Sequence, residues 1–145
     1  MRNRTIILFG LAAMLLSAGL STLPAWAHGA IALGKPDDIS TGGLAMGTGY
    51  NYPTAEGAKL RALEECLAFP EAPLETRGLC KIVESFERQC YAISLDPKEG
   101  TPGMGWSVAP KKADAEAEAL ARCRETAGGE REGFCVVSLS DCDAP

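Results

Sequence analysis

The stretch Ala62-Leu63-Glu64-Glu65-Cys66 returns as Ala119-Leu120-Ala121-Arg122-Cys123, and the agreement spreads outward from it in both directions. Upstream, Pro53 answers Pro110, Gly49-Tyr50 answers Gly105-Trp106, and Ala30-Ile31-Ala32-Leu33 answers Ala92-Ile93-Ser94-Leu95. Downstream, Leu79-Cys80-Lys81-Ile82-Val83 answers Phe134-Cys135-Val136-Val137, and Cys90 answers Cys142. Self-similarity in a fixed order, at a period of roughly 55–62 residues, marks one supersecondary unit used twice. The expected units are about 28–90 and 91–145, within one compact domain.

Each unit reads as β-β-α-β. Short apolar runs at 30–33 and 91–95 are followed by Pro, Asp and Gly, as in strands that enter turns. Second strands are expected near 44–52 and 104–108, and helices over about 54–67 and 111–124. The expected buried helix faces are Leu60, Leu63, Cys66 and Leu67 in the first unit, and Ala117, Leu120 and Cys123 in the second. Glu56, Asp114 and Glu116 near the helix starts, and Arg122 and Arg124 near an end, suit the helix dipole. Arg61 with Glu65 and Glu118 with Arg122 are i,i+4 pairs, read as solvated faces. Loops containing Pro70, Pro73 and Gly78, or Gly128, Gly129 and Gly133, lead to third strands at 80–86 and 135–139. The fold class is therefore α+β.

The first 27 residues read as an address. Arg2 and Arg4 precede an apolar run from Ile6 to Leu20, and Ala25-Trp26-Ala27 places small residues at both recognition positions of a signal peptidase. Cleavage is expected after Ala27, with a mature chain that starts at His28 and works in the periplasm or outside the cell. The apolar run falls short of the roughly 20 residues that span a bilayer. Without Arg2 and Arg4, 12 of the 14 basic residues remain against 19 acidic ones, a charge of −7. That balance opposes binding to nucleic acid or anionic lipid. The mature part holds only 27 large aliphatic and aromatic side chains, a thin core that benefits from covalent bracing.

All six cysteines lie in the mature part, and an even number in an exported chain implies disulfides. No C-x-x-C pair exists and the chain has one His, so zinc is not indicated. The expected pairs are Cys66 with Cys80, Cys123 with Cys135, and Cys90 with Cys142, the last joining the two units. An exchanged pairing, each helix cysteine with the other unit's strand, satisfies the same symmetry.

The Gly29-Ala30-Ile31-Ala32 opening, the Gly-aromatic stretch before a Pro, the Ala/Glu-rich helix ending in Cys and the following Cys-x-Val/Ile-Val strand together resemble a family of small secreted bacterial proteins, domain of unknown function 4189. The resemblance runs from Gly29 to Cys142. It implies two disulfide-bearing β-β-α-β units and carries no catalytic residues to transfer. The chain departs from the pattern at Pro70 to Gly78 and at Glu84, Glu87 and Arg88.

Catalytic templates find little. His28 is the sole imidazole, so a Ser-His-Asp or Cys-His mechanism lacks its base beside a nucleophile, and a copper brace lacks its second His. Asp37 with Asp38, and Asp141 with Asp143, are the close Asp pairs a glycan hydrolase could use, and both sit in turn or terminal contexts. Asp96 and Glu99 match no EF-hand spacing, and Gly47-x-Gly49 lacks the rest of a dinucleotide fingerprint. Nothing in the sequence implies a cofactor or metal. Tyr50, Tyr52 and Trp106 are the candidate binding surface for a protein partner, weighed against burial in the core. The expected function is non-enzymatic binding of another protein, as an effector or inhibitor. A small envelope glycan hydrolase and a structural envelope component are the alternatives.

Overall fold

The computed structural model describes residues 27–143; apart from Ala27, the expected leader lies outside them. The elements run β1 (His28–Gly34), α1 (Ile39–Gly42), β2 (Ala45–Tyr52), α2 (Ala55–Ala68), α3 (Leu74–Arg77), β3 (Lys81–Glu87), β4 (Cys90–Leu95), β5 (Met104–Ala109), α4 (Lys112–Ala127) and β6 (Val136–Cys142). A 3-10 turn, Glu132–Phe134, precedes β6. The strands form two antiparallel three-stranded sheets in the orders β2-β1-β3 and β5-β4-β6. This is an α+β fold of two tandem β-β-α-β units braced by three disulfides. The one-turn helices α1 and α3 are additions within loops.

Period-2 alternation in the central strands sorts side chains by size. Ala30 and Ala32 of β1 pack under α2 with Ala58, Ala62 and Cys66. Ile31 and Leu33, on the opposite face, meet Tyr91 and Ile93 of β4 together with Met46, Phe86 and Met104. Cys90 and Ala92 return to the small-residue side, against Ala115 and Ala119 of α4. The layers are therefore helix, sheet, sheet, helix, with the large aliphatic and aromatic groups between the sheets.

The helices bury a different face from the expected one. Ala58, Ala62 and Cys66 line the underside of α2, whereas Leu60 is 60% exposed and Leu67 52% exposed. In α4 the buried residues are Ala115, Ala119, Cys123 and Ala127; Ala117 is exposed and Leu120 only half-buried. The cause lies in the strand beneath. A Cβ at Gly47 would overlap the Ala62 carbonyl and the Cys66 amide, and one at Gly105 would overlap the same two groups of Ala119 and Cys123. Helix backbone thus rests directly on strand backbone, and only Ala or Cys fits around the contact. Thr54 caps α2 by accepting the Gly57 amide at 3.1 Å, while α4 has no side-chain cap.

Strand register also corrects the alignment of the units. Leu33 pairs with Met46 and Ala32 with Gly47; Leu95 pairs with Met104 and Ser94 with Gly105. Met46-Gly47-Thr48-Gly49-Tyr50 therefore corresponds to Met104-Gly105-Trp106-Ser107-Val108. Trp106 answers Thr48, and the match of Gly49-Tyr50 with Gly105-Trp106 is two residues out of step.

The disulfides pair Cys66 with Cys80, Cys123 with Cys135 and Cys90 with Cys142, and the exchanged arrangement does not form. The first two tie each helix to the start of its unit's last strand. The third departs from its expected role. Cys90 opens β4 and lies directly opposite Cys142 of β6, with Cα atoms 3.8 Å apart, so the bond closes the second unit instead of joining the two.

Candidate functional site

The connections at one end of the stacked sheets enclose a cleft of about 780 Å³. One wall is the β1–β2 connection with α1, the opposite wall the β4–β5 connection, and Phe69, Glu71 and Pro73 from the α2–α3 link close a third side. Leu44, Met46, Leu95 and Leu139 form an apolar lining, with Glu71, Lys98 and Glu99 exposed at its margin. This volume lies within the range of small-molecule and side-chain pockets.

Local hydrogen bonds hold the walls. Asp38 caps α1 by accepting the Ser40 amide at 2.9 Å, and its bonds from Ser40 hold its carboxyl below the usual range. The Thr76 hydroxyl, buried on α3, donates to the Gly42 carbonyl at 2.5 Å and ties the α2–α3 link to this wall. Gly43 takes φ +70° where the chain leaves α1, a conformation that suits glycine. Across the cleft, the fully buried Asp96 carboxylate accepts two bonds from Arg131, at 2.7 and 2.6 Å, and the Lys98 amide at 3.0 Å. The Arg131 guanidinium, stacked 4.1 Å from the Phe134 ring centre, holds the Asp96 carboxyl down to about 2. Both Asp96 oxygens are thereby occupied, and the acid that was weighed for calcium is a structural anchor.

The sequence-derived aromatic residues do not share one face. Tyr50 packs into the inter-sheet core, 5.7 Å from the Tyr91 ring, and the Asp141 carboxylate near its hydroxyl raises its pKa. Tyr52 packs on the α2 side of the same sheet. Two residues apart on one strand, these rings would normally point the same way. The extra residue in β2 between the Ala30–Gly49 and His28–Tyr52 pairs, with Asn51 at φ +60°, turns the strand over. Trp106 sits beside Lys35, Lys81 and Val83 in a second depression of about 630 Å³. Buried Tyr91, its hydroxyl 3.2 Å from that of Thr48, has its phenol pushed up to about 12 by burial.

The acid pairs are also separated in role. Asp38 is a cap, and neither Asp141 nor Asp143 lines the cleft or the Trp106 depression. Burial raises the Asp143 carboxyl, and that residue stands beside Asn51 and His28, at the other end of β1 and β2 from the cleft. Asp96, the acid at the cleft with a displaced pKa, is lowered and not raised, which is opposite to the need of a general acid. All six cysteines are disulfide-bonded, so none is a nucleophile. Among the described residues no three His, Cys, Asp or Glu side chains gather as a metal site.

Sequence reasoning did not find the cleft. The available signal was the Pro70 to Gly78 segment, since extra length in one copy of a repeat maps to loops that serve binding.

Two disulfide-braced β-β-α-β units stacked sheet to sheet, with a cleft at one end, define a small α+β protein. The family model for Domain of unknown function (DUF4189) matches residues 28–142, and the chain belongs to that family. No curated protein and no solved structure matches the chain.

Proposed function

We propose that the protein is exported and acts without catalysis, by binding another protein through the end cleft. The cleft carries this reading: an apolar lining with a charged margin, on walls tied by Thr76–Gly42 and Asp96–Arg131, suits an apolar side chain of a partner at small ordering cost. Export is supported by the three disulfides, which persist in oxidising compartments. Among the described residues no helix is long and apolar enough to cross a membrane.

The test is site-specific photocrosslinking of the oxidised, exported protein in envelope and secreted fractions. A crosslinking side chain replaces Thr41 or Lys98 at the cleft, and Leu60 on the outer face of α2 serves as control. One saturable protein adduct from both cleft positions, absent from Leu60 and abolished by Leu139→Asp, is the expected result. Adducts only from a probe at Trp106 would move the site to the second depression. No protein adduct at either place would overturn the proposal.

A further inference from the structure

Asp143 holds its carboxylate where the chain enters β1. Its backbone amide donates to the Gln89 carbonyl at 2.9 Å, which fixes the residue beside the end of β3. One carboxylate oxygen accepts the Asn51 amide, from β2 on one flank of β1, at 2.9 Å. The Arg88 amide, just beyond β3 on the other flank, is close enough to favour the ionised carboxyl, although its hydrogen bond goes to the Ala27 carbonyl at 3.1 Å. A carboxylate approached from both flanks stands at the end of β1, where His28 pairs with Tyr52 of β2 and Glu87 of β3. The residue is 5% exposed, and its second oxygen, Oδ2, is buried without a hydrogen-bond partner among the described residues. An unpaired buried carboxylate oxygen is costly and needs an explanation.

We propose that Asp143 is the receptor for the α-ammonium that processing creates at His28. This rests on the proposed export and removal of the leader. Hydrolysis of the Ala27–His28 bond by a peptidase consumes one water, leaves a carboxylate on Ala27 and frees an amine on His28 that takes up a proton at neutral pH. Loss of Ala27 also removes the carbonyl that engages the Arg88 amide. Oδ2 then gains two donors, the ammonium and the Arg88 amide, and the native packing of the β1 end is completed only in the processed chain. The charged groups around the carboxylate are His28, whose charge favours its ionised form, and Glu87, which opposes it. Ala27 is 3% exposed in the folded chain, so cleavage belongs before folding closes this end.

The experiment starts from the full chain, exported by a producing cell, whose intact mass gives the first residue. A start other than His28 overturns the processing reading and this proposal together. For protein that starts at His28, the α-amine is titrated by NMR in the native sequence and in Asp143→Asn. The expected amine pKa lies at least one unit, a tenfold shift, above the ordinary value of about 7.7–8.0 and returns to it in the variant. An ordinary value in the native protein overturns the Asp143 pairing and leaves processing intact. Should Asp143→Asn fail to fold, the Asp143 carboxyl itself is titrated in native protein and in a chain retaining Ala27 as its first residue. The carboxyl is expected to titrate at least one unit lower in the chain that starts at His28, and equal values overturn the proposal.

Discussion

Gly47 and Gly105 decide how closely each helix approaches its sheet, because a Cβ at either would collide with helix backbone that cannot rotate away. Gly47→Ala is expected to lower stability by about 1–3 kcal/mol in urea unfolding, the range for overpacked sites. Gly129→Ala, with nothing within 4 Å of the new methyl, should change it by less than about 0.5 kcal/mol. Asp96 gives a pH signature at the same scale. Its carboxyl is held at about 2 in the folded protein against an ordinary 3.8, so its contribution is complete above pH 4 and disappears as pH falls through 2. The Tm difference between native protein and Asp96→Asn should shrink over that window; a difference constant from pH 5 to 2 would contradict the assignment. These anchors were only partly legible. Asp96 reads as a turn residue, and nothing local tells that Arg131, 35 positions on, reaches back to it.

At the scale of elements, each short disulfide fixes a helix to the start of its unit's last strand. The Cys66–Cys80 loop spans 14 residues and the Cys123–Cys135 loop 12, which corresponds to about 3 kcal/mol each by loop-closure entropy. Cys90–Cys142 spans 52 residues and corresponds to about 4 kcal/mol. Replacing Cys90 and Cys142 with Ala should therefore lower the urea-unfolding stability more than replacing Cys66 and Cys80. The order of elements was legible from the sequence because strands, Pro, Ala-rich helix and Cys recur together. The helix faces were not. On α2 the leucines and the alanines form two separate stripes, and hydrophobicity alone favours the leucines. The sheet chooses the alanines, since glycine at 47 and 49 leaves room for nothing larger.

At the scale of the molecule, Ile31 and Leu33 of one unit and Tyr91 and Ile93 of the other share one apolar cluster. We propose that the two units unfold as one cooperative domain. Ile31→Ala, a fully buried substitution in the first sheet, is expected to cost about 2–5 kcal/mol. Trp106, in the second sheet, provides the readout, measured in a protein that starts at His28 and so lacks Trp26. Its fluorescence midpoint in urea should fall together with the far-UV circular dichroism midpoint. A Trp106 transition that does not move would show two independent units. The cleft belongs to this scale as well, since its walls come from three connections, with Met46 of β2 and Leu139 of β6, that meet only when the sheets stack.

By itself the sequence determined the α+β class, the β-β-α-β order in both units and the family resemblance, because each is written in local pattern and order along the chain; it left two symmetric cysteine pairings, of which the fold forms one. The tertiary structure alone decided which helix face is buried, which residues of β2 and β5 correspond, to which unit Cys90 belongs and where the cleft lies. These depend on backbone approach at Gly47 and Gly105, on strand register, and on the stacking of two sheets. Such distances arise between residues far apart in the chain, and no periodicity within a segment encodes them.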